Sequence, residues 1–275
     1  MLLLTFLEGA PRDPAAAFLP KRATRVWDSP LPGWRLAGGA AVPMLAACDA
    51  HVLIDLQQSW EHFPVEYLVN ATLTAQPELV AVHAASLGTN KGGLLIAGPS
   101  HSGKTTTSLH LAARGFTLLG DEVALIRLVT NEIVPFRRTA NLRPGPRAPE
   151  LSAAVERLAD GDEPPVDDGC VRMLRIGELF PGSLAGPTSL RAAFFLNGFS
   201  DRPSLAPFRP TLRDLDTFGV LSGNEIATLW GLPPQRRALR LMAVKHLLDR
   251  LPCWLLKVSA PVETAEVIER TMEDF

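Results

Sequence analysis

The sequence predicts an α/β protein built around a phosphate-binding loop, preceded by a β-rich region, and three observations carry that reading. Residues Gly98 to Thr105, Gly-Pro-Ser-His-Ser-Gly-Lys-Thr, satisfy every fixed position of the pattern G-x-x-x-x-G-K-[ST]. The apolar run Leu94-Leu95-Ile96-Ala97 leads straight into it, as a strand would. A helix-compatible stretch from Lys104 to Arg114 follows and meets Gly115, a residue suited to a helix C-cap.

Taken in order, the chain opens with short apolar stretches at Arg25 to Trp27, Trp34 to Ala37 and His51 to Leu56, punctuated by Pro and Gly. They predict a β-rich accessory region over residues 1–76, to which no chemistry is assigned, ahead of a P-loop domain over residues 77–275. The run Leu79 to His83 begins the strand-rich centre, and Gly92-Gly93 turns the chain into the loop's strand. Phe116 to Gly120 and Glu132 to Phe136 read as further strands. From Asn141 to Gly169 the composition shifts to Pro, Ala and acids around a short helix, Ser152 to Leu158, which suits a mobile flap or lid. Regular pattern then returns: a strand Leu190 to Leu196, a helix Gln235 to Leu251, a strand Cys253 to Val258 and a last helix opened by Pro261.

Composition excludes several partners. With 27 basic against 29 acidic residues in 275, there is no general electrostatic case for nucleic acid or a membrane surface. Met1 to Leu7 is apolar but lacks a basic flank and is interrupted by Glu8, which argues against a signal peptide. Cys48, Cys170 and Cys253 lie far apart without C-x-x-C spacing, so they read as reduced thiols of a cytoplasmic protein and not as metal ligands.

The loop supplies the chemistry. Its glycines let the backbone form a concavity whose N–H groups face a polyphosphate, while Lys104 adds a point charge and Thr105 a hydroxyl for Mg²⁺. A nucleoside triphosphate, held by Gly98, Ser100, His101, Ser102, Gly103, Lys104, Thr105 and Thr106, is the expected ligand. His101 occupies a variable position and reads as a solvent-facing spacer. A helix from Lys104 to Arg114 advances about 16 Å, and a strand from Phe116 to Gly120 returns about 16 Å. In a strand-helix-strand unit with a right-handed crossover, Asp121 and Glu122 then come back to the loop's edge. Two acids there can divide Mg²⁺ binding and proton acceptance between them.

Val82-His83-Ala84-Ala85-Ser86, Gly92 to Thr106, and Arg114 to Glu122 together resemble the core of the HPr kinase/phosphorylase family, whose fold is related to that of bacterial phosphoenolpyruvate carboxykinase. The resemblance spans Val82 to Glu122 and is weak elsewhere. It implies a mixed sheet, ATP with Mg²⁺, and transfer of phosphate to a hydroxyl. By position it implies that His83 lies near the phosphate and acceptor, that Lys104 and Thr105 are the loop lysine and hydroxyl, that Asp121 is the catalytic base, and that Glu122, an aspartate in the family, joins Thr105 at the metal directly or through water. The family's downstream glycine-rich segment is not found, which implies a kinase without efficient reversal and a substrate other than HPr. Relatives of this size phosphorylate small molecules or a serine of a ribosomally made peptide such as a lasso-peptide precursor, and a peptide hydroxyl leads as the acceptor. The family also forms oligomers, though nothing in this sequence sets a symmetry. A nucleotide-binding regulator that does not transfer phosphate stays as the rival reading; a phosphoenolpyruvate carboxykinase-like decarboxylase lacks a second metal-ligand set. Arg137, Arg138, Arg143 and Arg147 form a basic cluster beside the lid that could hold an anionic acceptor or equally be a solvated loop.

Overall fold

Near-continuous apolar runs, the signature of strands covered on both faces, organise the part of the chain that carries the loop. The computed structural model describes residues 3–7, 25–28, 35–38, 43–48, 51–55, 76, 78–136, 140–142, 172–174, 180, 186–220 and 234–275. The chain divides into two units, Met1–Pro77 with Asn224–Leu239, and Glu78–Gly223 with Arg240–Phe275.

The first unit contains a five-stranded sheet of order β1-β5-β4-β3-β2. Its strands are β1 (Leu3–Leu7), β2 (Arg25–Asp28), β3 (Arg35–Gly38), β4 (Pro43–Cys48) and β5 (His51–Asp55). Only β1 and β5 pair in parallel; the other neighbours are antiparallel.

The second unit is built on a nine-stranded mixed sheet running β6-β10-β11-β14-β8-β7-β9, with β16 beside β14 and β15 beside β16. The strands are β6 (Leu79–Val82), β7 (Ala84–Thr89), β8 (Gly92–Ala97), β9 (Thr117–Gly120), β10 (Ala124–Arg127), β11 (Glu132–Val134), β14 (Thr188–Phe199), β15 (Ser204–Pro207) and β16 (Cys253–Val258). β12 (Ala140–Leu142) and β13 (Arg172–Leu174) form a separate pair. Among the described residues the helices are α1 (Lys104–Ala113), α2 (Leu212–Thr217), α3 (Pro234–Asp249), of which Arg240 onward belongs to this unit, and α4 (Pro261–Glu273).

Alternation assigns the two faces. Leu94, Ile96, Ala192, Phe194 and Leu196 join Leu109 and Leu111 of α1 and Ala265, Ile268 and Met272 of α4 in one core. Leu95, Ala97, Ala193 and Phe195 join Val244, Leu247 and Leu248 of α3 and the β6–β10–β11 arm in the other. The P-loop strand β8 is thus buried along its whole length. Arg114, just past α1, is clamped by Glu269 and Glu266 of α4, which ties the end of the loop helix to the second helix of its layer.

The expected α/β class and the mixed sheet are both present. The expected strand-helix-strand unit is present as β8-α1-β9, with β7 lying between β8 and β9 and antiparallel to both. The cause is the tight turn at Asn90 to Gly92, which folds β7 back onto β8 before the loop is reached and so takes the position beside it. The helix Ser152 to Leu158, most of the Asn141 to Gly169 segment, and Arg137, Arg138, Arg143 and Arg147 lie outside the described residues.

Candidate active site

The loop leaves β8 at Gly98, which is buried between Leu196 of β14 and the loop's own return. A side chain there has no room: a Cβ would come within 2.6 Å of the Ser102 Oγ and 3.0 Å of the Leu196 Cβ. His101 and Gly103 take left-handed φ values of 64° and 98°. Left-handed residues of this kind occur in the backbone nests that bind anions; here the Ser102 N–H donates to the Pro99 carbonyl at 3.2 Å, which closes the loop's turn. Gly103 also opens α1 without a side-chain cap, and the first turn carries no acidic residue, so the positive end of the helix is left to an anion. The hydroxyl of Ser102 is buried with no partner among the described residues.

Lys104 is buried, and its ammonium donates to the carbonyls of Gly98 at 2.8 Å and Pro99 at 2.9 Å. Two of its three protons are thereby spent on fixing the head group at the loop's mouth. Burial lowers its pKa, opposed by the charges of Asp121 and Glu122, which places all three groups in one electrostatic neighbourhood.

β9 ends at Gly120, opposite Ser86 of β7, and Asp121 follows directly. Thr105 donates its hydroxyl to the Asp121 carboxylate, 3.0 Å from one oxygen and 3.2 Å from the other. Asp121 is 3% exposed. Burial drives its pKa up to about 6; the Thr105 hydrogen bond opposes the rise, the Glu122 charge adds to it, and the Glu122 backbone N–H and Lys104 oppose it. Glu122 has φ 64° at the centre of a turn in which Val123 N–H donates to the Asp121 carbonyl at 2.8 Å. A positive φ costs a glutamate free energy and persists only where neighbours enforce it. Gly120 is one of them: a Cβ there would sit 2.6 Å from the Val123 carbonyl oxygen and 3.3 Å from that of Phe136, both fixed backbone atoms. Gly120→Ala is therefore expected to cost about 1–3 kcal/mol in urea unfolding and to displace the acid pair that the glycine precedes.

His83 sits between β6 and β7, half-buried, with its N–H bonded to the Val220 carbonyl at 3.0 Å. Because Ala84 is opposite Ala97, His83 falls on the rim where Gly98 begins the loop. Ser100 and His101 are exposed, and Thr106 is half-buried. Among the described residues no group of three or more His, Cys, Asp and Glu side chains could hold a metal alone. Thr105 and Glu122 instead offer the oxygen donors that suit Mg²⁺ completed by water and phosphate oxygens. With the uncapped start of α1 and the anchored Lys104 ammonium, these residues fit a magnesium-bound triphosphate. Sequence reasoning placed a strand at Leu190 to Leu196, and the structure extends it to Thr188–Phe199 as β14; what it did not reveal is that Leu196 of this strand walls Gly98. Nor did it reach α2, although Thr211 and Asp214 spell the capping box that the structure contains.

Among solved structures, the chain is similar to the Hpr(Ser) kinase/phosphatase from Coxiella burnetii, at 14% identity and a TM-score of 0.37, covering 71% of this chain and 99% of that one. No family model matches the chain. No curated protein matches it either. No helix among the described residues is long and apolar enough to cross a membrane.

Proposed function

We propose that this chain is a cytoplasmic phosphotransferase that moves the γ-phosphate of ATP to a hydroxyl, with a serine of a peptide or protein as the leading acceptor and a small-molecule hydroxyl next. The observation that carries the reading is the Thr105–Asp121 hydrogen bond, which joins the loop's metal-binding hydroxyl to a buried carboxylate of raised pKa. A binder of triphosphate needs the loop alone. A kinase needs in addition a base beside the terminal phosphate, and a carboxylate with its pKa near 6 accepts a proton more readily than an ordinary one while still ionised at neutral pH.

The roles divide by position. Gly98, Ser100, His101, Ser102, Gly103 and Thr106 contribute the loop, and Lys104 neutralises phosphate charge. Thr105 and Glu122 would hold Mg²⁺, which when bound offsets charge on the β- and γ-oxygens. Asp121 takes the acceptor's proton, and His83, on the same rim, orients the acceptor or the phosphate. Residues 77–275 are the catalytic part in this reading and residues 1–76 an accessory to it. The buried, unpaired Cys253 thiol fits a reducing compartment.

Incubation of the purified protein with γ-labelled ATP and Mg²⁺, against serine-containing peptides and hydroxylated metabolites, tests the proposal. Label is expected on an acceptor hydroxyl, in a bond stable to hydroxylamine. ATP binding without transfer to any acceptor would leave the regulator reading; no binding of ATP or GTP would remove both.

A further inference from the structure

A triphosphate held by this loop has a direction. On the proposed function its terminal phosphate lies toward Asp121, which follows β9, on the β7 side of the P-loop strand. The nucleoside must then trail to the opposite flank, toward β14 and β16. Those two strands and β8 run parallel, so their carboxyl ends share the rim that carries the loop, which is where ligands of such sheets sit.

On that flank β14 outruns its neighbour. Phe195 is opposite Ala97, the last residue of β8, and the strand continues to Phe199. The extension is not regular. Leu196 pairs with Leu256 while Phe199 pairs with Val258, so three steps on β14 match two on β16. Gly198, with φ 79°, takes the left-handed conformation that this bulge requires.

The extra residue changes where Phe199 points. In an unbroken strand, residues three apart project to opposite faces. Here Phe199 is in register with Val258, and cross-strand partners share a face. Leu196, Leu256 and Val258 all belong to the core beneath α1 and α4. The bulge thus turns Phe199 onto the face where α1 leaves the loop. Phe199 is 55% exposed, whereas Phe194 and Phe195 of the same strand are fully buried. Counted on β16, Phe199 lies about 7 Å beyond the level of Gly98 and about 5 Å to the side, a separation that a ribose and α-phosphate can span.

We propose that Phe199 is the platform on which the nucleobase of the bound triphosphate stacks, making the bulged end of β14 a nucleobase subsite. The proposal rests on the nucleotide reading of the loop. Stacking on one aromatic face tolerates every base, so ATP and GTP both use it.

Calorimetry with two magnesium-bound probes, ATP and inorganic tripolyphosphate, tests it and separates it from its premise. The wild type is expected to bind both. Phe199→Ala should weaken ATP about tenfold, the size of one base–aromatic stack, and leave tripolyphosphate unchanged; Phe199→Tyr should restore ATP. A thermal melt of the alanine variant checks that it is folded when its affinities are read. Unchanged ATP affinity in Phe199→Ala, or an equal loss for both probes, overturns the subsite while the loop reading stands. Failure of the wild type to bind either probe overturns the nucleotide reading, and the subsite with it.

Discussion

Asp121→Asn is expected to lower phosphoryl transfer by a factor of about 10²–10⁴ while ATP affinity stays within a few-fold. Asparagine keeps an oxygen that can accept the Thr105 hydroxyl, so the loop and its metal hydroxyl stay oriented, but it cannot accept the acceptor's proton. Single-turnover kinetics with saturating ATP, set beside calorimetric affinity, reads the two effects apart. The same substitution is expected to stabilise the protein near neutral pH. Asp121 carries a folded pKa of about 6 against an ordinary value of 3.8, chiefly through burial. A carboxyl raised in this way binds its proton more tightly folded than unfolded. Its contribution is fully present below the unfolded pKa and is lost as pH rises through the folded one. Between about pH 4 and 6 the wild type should lose on the order of 3 kcal/mol, from the two-unit shift, and the asparagine variant should lose little of it. Urea unfolding in chelator, without nucleotide, measures the difference. A parallel fall in both proteins would refute the buried-charge account of this site.

Lys104→Met is expected to weaken binding of magnesium ATP and to reduce transfer, each by about 10²–10³, the scale of removing one charge-stabilising donor. The ammonium is anchored on the carbonyls of Gly98 and Pro99, which directs its remaining proton to whatever the loop holds. Lys104→Arg should fail nearly as badly, because a planar fork cannot take the place of a compact ammonium held between two adjacent carbonyls. Stability should be unchanged or slightly higher in the methionine variant, since burial already disfavours the charged lysine and an isosteric apolar chain removes that cost. Calorimetry and thermal melts of the three proteins check these outcomes. A methionine variant with wild-type ATP affinity would take the nucleotide out of the loop.

Much of the regular structure was legible because it is local. Strand Cys253–Val258, helix α1 and the Pro261 start of α4 follow from period and punctuation within a dozen residues. β7 was hidden because Ala84 to Thr89 is small and mixed, with Thr89 alone a β former; pairing on both sides makes it a strand, not its own propensity. The strained φ of Glu122 was equally hidden. An acid after Gly-Asp reads as an ordinary turn, and the closeness of the Val123 and Phe136 carbonyls to Gly120 belongs to chain beyond it.

The order of residues was sufficient for the loop, because a glycine at 98, a lysine at 104 and a threonine at 105 act on one another over a few bonds. That Thr105 meets Asp121, that the carboxylate is dry enough to hold its proton to about pH 6, and that Phe199 turns toward the loop's helix depended on the assembled sheet. Burial and register sum contributions from strands distant in sequence, and no short window of residues contains those sums.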